Sequence, residues 1–150
     1  MARSIELFIQ NVLSGRGGPF AAVVVKDGKI IAEGVNEVTS TNDPTAHAEV
    51  AAIRAACKTL ADFELTDCEL YTTCEPCPMC LGAIYWARPA RVYFANTAED
   101  ASKIGFDDLL IYREAARPPS ERRIPMIPSM REQALIAFRI WEEKGDKKRY

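Results

Sequence analysis

A chain of 150 residues with a single histidine places that histidine two positions before a glutamate, as His47-Ala48-Glu49. Further on stands Pro76-Cys77-Pro78-Met79-Cys80. One imidazole and two thiolates suit zinc, and three protein ligands leave the fourth tetrahedral position to a water. A zinc ion with an open position does chemistry, because it makes that water a nucleophile near neutral pH. Glu49, kept off the metal, could take the proton from the water and hand it on.

Taken apart, the pieces allow other roles. A lone C-x-x-C can be a redox dithiol. Cys74, three before Cys77, allows a closed structural zinc site of three cysteines with His47, or of four cysteines including Cys68. The pair Cys77 and Cys80 is favoured because both stand at the opening of a predicted helix. Their spacing there puts them on one side, and the positive helix end favours thiolates. Cys57, Cys68 and Cys74 then read as small buried hydrophobes. Taken together, H-x-E followed by P-C-x-x-C resembles the signature of the zinc nucleobase deaminases.

The elements that must hold these groups follow from periodicity and turn chemistry. Ile5, Phe8, Ile9 and Val12 recur at helical spacing and predict a helix over 2–14. Residues 20–26 and 29–36 read as strands joined by Asp27-Gly28, a hairpin dipeptide. Asn42-Asp43-Pro44-Thr45 offers caps for a helix running to about residue 60, with Val50, Ile53, Ala56, Cys57 and Leu60 as its apolar stripe. A third strand covers 68–73. Pro78 suits the first position of a helix that stops before Pro89, and a fourth strand covers 91–95. Short helices are expected over 98–112, an extended proline-rich arm over 117–128, and an amphipathic helix from Met130 to about Gly145. Strands alternating with helices indicate an α/β sheet covered on both faces.

Composition narrows the class. With 48% hydrophobic and 27% charged residues the chain can bury a core, and its length suits one domain. A net charge of −2 argues against a polyanionic partner. The first twenty residues hold no apolar leader core, and the longest stretch without a polar side chain, 79–87, is too short to span a bilayer. Five cysteines, odd in number and clustered, favour metal chemistry in a reducing compartment, so a cytoplasmic location is expected.

The segments Gly17-Gly18-Pro19-Phe20, Val25-Lys26-Asp27-Gly28, Asn42 through Glu49, Thr73 through Cys80 and Leu81 through Arg88 resemble the cytidine-deaminase-like superfamily. Gly105-Phe106-Asp107-Asp108 and Lys147-Lys148-Arg149-Tyr150 resemble the small bacterial guanine deaminases within it. The resemblance implies a three-layer α/β/α sandwich around a mixed sheet of about five strands. It also implies one zinc ion per chain on His47, Cys77 and Cys80, with Glu49 as proton carrier. A purine base is the implied substrate, converted from guanine to xanthine and ammonia. Asn36 would bind the purine edge, Phe20 would stack on the ring opposite His47, and Ala48 would also contact the base. Asp108 would be a second carboxylate near the departing amine. Residues 117–150 would form an arm and helix exchanged in a homodimer, carrying Tyr150 to the partner's site.

Each secondary residue has an ordinary alternative. Asn36 could be a turn residue after Gly34, Phe20 a core residue, and Asp107 or Asp108 the cap of a helix from Leu109. Tyr150 could be a frayed end. Three further functions also stand beside the guanine reading: a tRNA adenosine deaminase, a deaminase of another aminated heterocycle, and a non-catalytic zinc module.

Overall fold

A computed structural model describes residues 1–149, and the expectation for Tyr150 lies outside the described residues. The chain forms two compact units, Met1–Leu109 and Leu110–Tyr150.

In the first unit, Asp27 and Gly28 have φ of 49° and 72°, the left-handed pair that a tight hairpin turn of the I′ type requires. They join β1 (Ala21–Lys26) to β2 (Lys29–Val35) in antiparallel pairing. β1 pairs antiparallel on its other side with β3 (Cys68–Cys74), and β3 pairs parallel with β4 (Arg91–Asn96). The order is β2-β1-β3-β4, a mixed sheet with helices on both sides. It has four strands where about five were expected. After β4 the hydroxyl of Thr97 accepts from the Asp100 N–H while the Asp100 carboxylate accepts from the Thr97 N–H. This reciprocal cap starts helix α5 (Ala98–Lys103) and turns the chain out of the sheet. I

n the middle of the sheet, Ala21 to Val24 of β1 are buried on both faces. Ala22 and Val24 join a core with helices α3 (Ala48–Leu60) and α4 (Pro78–Ala87). Ala48, Ala52 and Ala56 recur every four residues along α3 with no exposed surface, and this row of small side chains lets the helix lie close to the strands. The approach is tightest at Gly34, where a Cβ would sit 2.3 Å from the carbonyl oxygen of Ala48 and 2.5 Å from the nitrogen of Ala52. Only glycine fits under the start of α3.

Two local expectations are corrected. Asn42 to Thr45 do not cap α3. The Asp43 carboxylate instead accepts from the Thr45 N–H and hydroxyl, closing a turn after the single-turn helix α2 (Val38–Thr41). His47 itself takes the N-cap position, and its ring makes no capping bond. Helix α1 (Ala2–Ser14) forms as expected, but its fully buried residues are Ser4 and Asn11. Ile5, Ile9 and Val12 are 40%, 48% and 49% exposed. The reason is a polar tie: the Asn11 amide donates to the carbonyls of both Gly18 and Asn36 at 2.9 Å. An apolar side chain could not satisfy those buried oxygens.

Helix α6 (Asp108–Ala115) runs from the end of the first unit into the second. In the second unit the Glu114 carboxylate accepts from the Arg123 N–H and pairs with Arg117. The proline-rich stretch holds only one 3-10 turn, Pro119–Glu121, before helix α7 (Arg131–Glu143). No α7 residue is buried. Among the described residues, no helix is long and apolar enough to cross a membrane.

Replacing Gly34 by alanine should push α3 off β2 and lower stability by ~1–3 kcal/mol. Urea unfolding monitored by circular dichroism measures this, and an unchanged midpoint would contradict the close packing described.

Candidate active site

His47 precedes the first turn of α3, Cys77 precedes that of α4, and Cys80 is the third residue of α4. Pro78 fixes the entry into α4 at its first helical position, where its missing N–H costs nothing. The two helix starts thereby present three soft ligand atoms to one point. The Nδ1 atom of His47 lies 3.6 Å from the Cys77 sulfur and 3.5 Å from the Cys80 sulfur. The three ligand atoms all lie within 4.8 Å of one another. A tetrahedral zinc with bonds near 2.1 Å to nitrogen and 2.3 Å to sulfur separates such atoms by about 3.6 Å, so the cluster fits the ion.

The cysteines divide by environment. A hydrogen bond from the Cys80 thiol holds the Cys77 thiol well below the ordinary range, with His47 assisting. Cys77 in turn raises the imidazole of His47 and holds the Cys80 proton on. Burial pushes Cys74 up to about 11 and also raises Cys57 and Cys68. Cys74 directs its thiol to the carbonyl of Thr97 at 3.6 Å. Neither Cys74 nor Cys68 belongs to the ligand cluster.

Beside the cluster opens a cavity of about 330 Å³, whose wall includes Phe20, Asn36, His47, Glu49, Phe106 and Asp108. Glu49, only 5% exposed, stands on the first turn of α3. One of its oxygens accepts from the Thr72 hydroxyl at 2.9 Å, and the other accepts from the Cys80 thiol at 3.4 Å. Burial raises its pKa and favours the protonated form. Asp108 is the first residue of α6 and does not cap a helix beginning at Leu109. Burial raises its carboxyl as well, followed by the nearby Cys77 charge.

Asn36 combines its two sequence readings. It does organise a turn, because its side-chain oxygen accepts from the N–H groups of Gly18 and Val38 at 3.1 and 3.3 Å. With the oxygen so engaged, the amide NH2 is what remains for a ligand in the cavity. Gly17 makes room for this arrangement, since a Cβ there would lie 1.9 Å from the Asn36 carbonyl oxygen. Phe20 meets Phe106 edge to face, with centroids 4.8 Å apart. Ala48 is fully buried in the core and lies outside the cavity wall, so its side chain faces the sheet.

Sequence reasoning missed Thr72, Phe106 and Asn11. Phe106 sat inside the segment noted for its resemblance. Thr72 and Thr73 are consecutive polar residues in a strand, and both are buried; adjacent strand residues face opposite sides, so each needed a partner.

The model of the cytidine and deoxycytidylate deaminase zinc-binding region matches residues 1–96. The chain belongs to this family. Within it, the chain is 55% identical over 150 residues to the guanine deaminase of Bacillus subtilis (strain 168), covering all of this chain and 96% of that protein. The crystal structure of guanine deaminase from Bacillus subtilis superposes with a TM-score of 0.97, covering 99% of this chain and 95% of that one. A guanine deaminase from Nitrosomonas europaea is 36% identical with a TM-score of 0.68, covering 71% of this chain and 62% of that one. The tRNA-specific adenosine deaminase of Agrobacterium fabrum (strain C58 / ATCC 33970) is 49% identical over 76 residues, 51% of this chain and 50% of that protein. The family binds zinc through the region that contains His47, Cys77 and Cys80 here.

Metal analysis of the purified protein should find about one zinc per chain. His47→Ala and Cys80→Ser should lose most of it and Cys74→Ser should retain it. Loss of zinc in the Cys74 variant would reassign the ligand set.

Proposed function

We propose that the protein hydrolyses guanine to xanthine and ammonia, with zinc held by His47, Cys77 and Cys80. The single observation that supports the choice of base is the full-length likeness to the Bacillus subtilis guanine deaminase. The tRNA deaminase match spans only about half of the chain, and the net charge of −2 suits a small substrate better than a polyanion.

When bound, the ion supplies Lewis-acid activation of a water at neutral pH. Glu49 takes a proton from the attacking water and passes it to the ring nitrogen beside C2. As the carbon–nitrogen bond breaks, Glu49 takes the remaining proton from the oxygen now bound to C2, which becomes the carbonyl, and gives it to the amine, which leaves as ammonia. Its raised affinity for a proton, caused by burial, suits a group that must both receive and deliver one. Asn36 offers its NH2 to an acceptor on the purine edge, and a base without that acceptor would leave a buried donor unpaired. Phe20, buttressed by Phe106, covers the ring. Asp108 accepts from the departing amine.

The working protein is a homodimer in the cytoplasm, acting in purine breakdown, in which residues 117–150 cross to the neighbour and Tyr150 enters its site. Support comes from α7, which has no buried residue while Phe138 and Trp141, three apart and on one side of the helix, are 70% and 45% exposed. Such an apolar face needs a cover. The proline-rich stretch before it suits a stiff connection, and five free cysteines suit a reducing compartment.

Ammonia release should be measured with guanine, guanosine, adenine, cytosine and cytidine, and guanine should lead. Glu49→Gln should keep its zinc and lose about 10²–10⁴-fold in kcat; near-native turnover would sink the role of Glu49. Deleting Tyr150 should reduce turnover at unchanged zinc content, and full activity would remove it from the site.

A further inference from the structure

Thr72 sits at the centre of β3, opposite Ala22 of β1 and Phe94 of β4. It has no exposed surface. Strand alternation points it, with Leu70, toward the face that α3 covers. On that face its hydroxyl donates to one Glu49 oxygen at 2.9 Å. The other Glu49 oxygen lies 3.4 Å from the sulfur of Cys80, on the side of the metal ligands.

The two oxygens of one carboxylate are therefore held differently. We propose that Thr72 is a positioning residue for the deamination: by anchoring one oxygen of Glu49 to the sheet, it aims the other at the reacting atoms. The inference rests on Glu49 as the proton carrier.

The chemistry favours this use of a hydroxyl. A carboxylate on the first turn of a helix can rotate about its side-chain torsions, and each alternative rotamer takes the proton carrier out of reach. A hydroxyl donor on a rigid central strand removes that freedom. It also suits both proton states of Glu49: the anchored oxygen accepts from Thr72 when the carboxylate is charged, and still accepts as a carbonyl when the proton rides on the other oxygen. An apolar residue at 72 would fit the core equally well and leave a buried oxygen without its donor.

Valine has nearly the shape of threonine without the hydroxyl, so Thr72→Val is the direct test. It should lower kcat about 10- to 100-fold, while KM stays within about twofold and zinc stays near one per chain. Thr72→Ser, which keeps the hydroxyl, should hold kcat within about threefold of the parent. In a Glu49→Gln background, Thr72→Val should change kcat less than about twofold, because the two groups act as a unit.

If Thr72→Val does not yield folded protein, Thr72→Ala removes the same hydroxyl without adding bulk and should show the same loss of kcat. An unchanged kcat in the hydroxyl-free variant would overturn the proposal. So would an equal loss in Thr72→Ser, a loss confined to KM or zinc content, or a full further loss in the Glu49→Gln background. Near-native turnover in Glu49→Gln alone would sink the Glu49 reading and this one with it. An inactive Glu49→Gln beside an unaffected Thr72→Val would sink only the role of Thr72.

Discussion

The close contact of α3 with β2 at Gly34 governs where the site can form. The backbone of the helix lies within a Cβ's reach of the strand, and Ala48, Ala52 and Ala56 extend that fit along the seam. Because close-packed interiors deform little, this seam holds the start of α3 in place against β2. His47 and Glu49 occupy that start, so their positions follow from the packing of small residues elsewhere. Helix α4 brings Cys77 and Cys80 to the same point from another direction, with Pro78 setting its entry angle.

Around this frame the buried polar side chains are few, and each is held by at least one partner. Asn11 ties α1 to the carbonyls of Gly18 and Asn36, and Asn36 ties its own side chain to the loop around Gly18 and to the start of α2. Glu49 is anchored from β3 by Thr72. Buried polar groups cost free energy unless paired, and here each pairing also limits where a functional group can point. Helix α1 gives the plainest case. It keeps a polar residue on its buried side and leaves its larger apolar residues partly exposed, because the loop carbonyls need a donor.

Much of this was legible in advance. Asp27-Gly28 marked the hairpin, Pro78 and Pro89 bracketed α4, and the alternation of strands with helices gave the layered α/β class. The ligand set was legible because its residue types are rare and closely spaced, with one histidine in the chain and two cysteines on one helical turn. The buried side of α1 was not legible, because periodicity marks apolar residues and is blind to a single amide needed by distant carbonyls. Thr72 escaped for a similar reason. Its partner is 23 residues away in sequence, and a threonine in a strand is common for its backbone preference alone.

The sequence by itself determined the kind of chemistry, since imidazole, thiolate and carboxylate act through their own electronic character wherever they meet. It also determined the local elements, which depend on near neighbours along the chain. Only the tertiary structure decided which aspartate lies on the cavity wall, which end of the Asn36 amide is taken up by the loop N–H groups, and that Thr72 stands beside Glu49. Those outcomes depend on distances of a few ångströms between segments remote in sequence. Such distances are set by packing, to which every residue of the core contributes and which no short motif encodes.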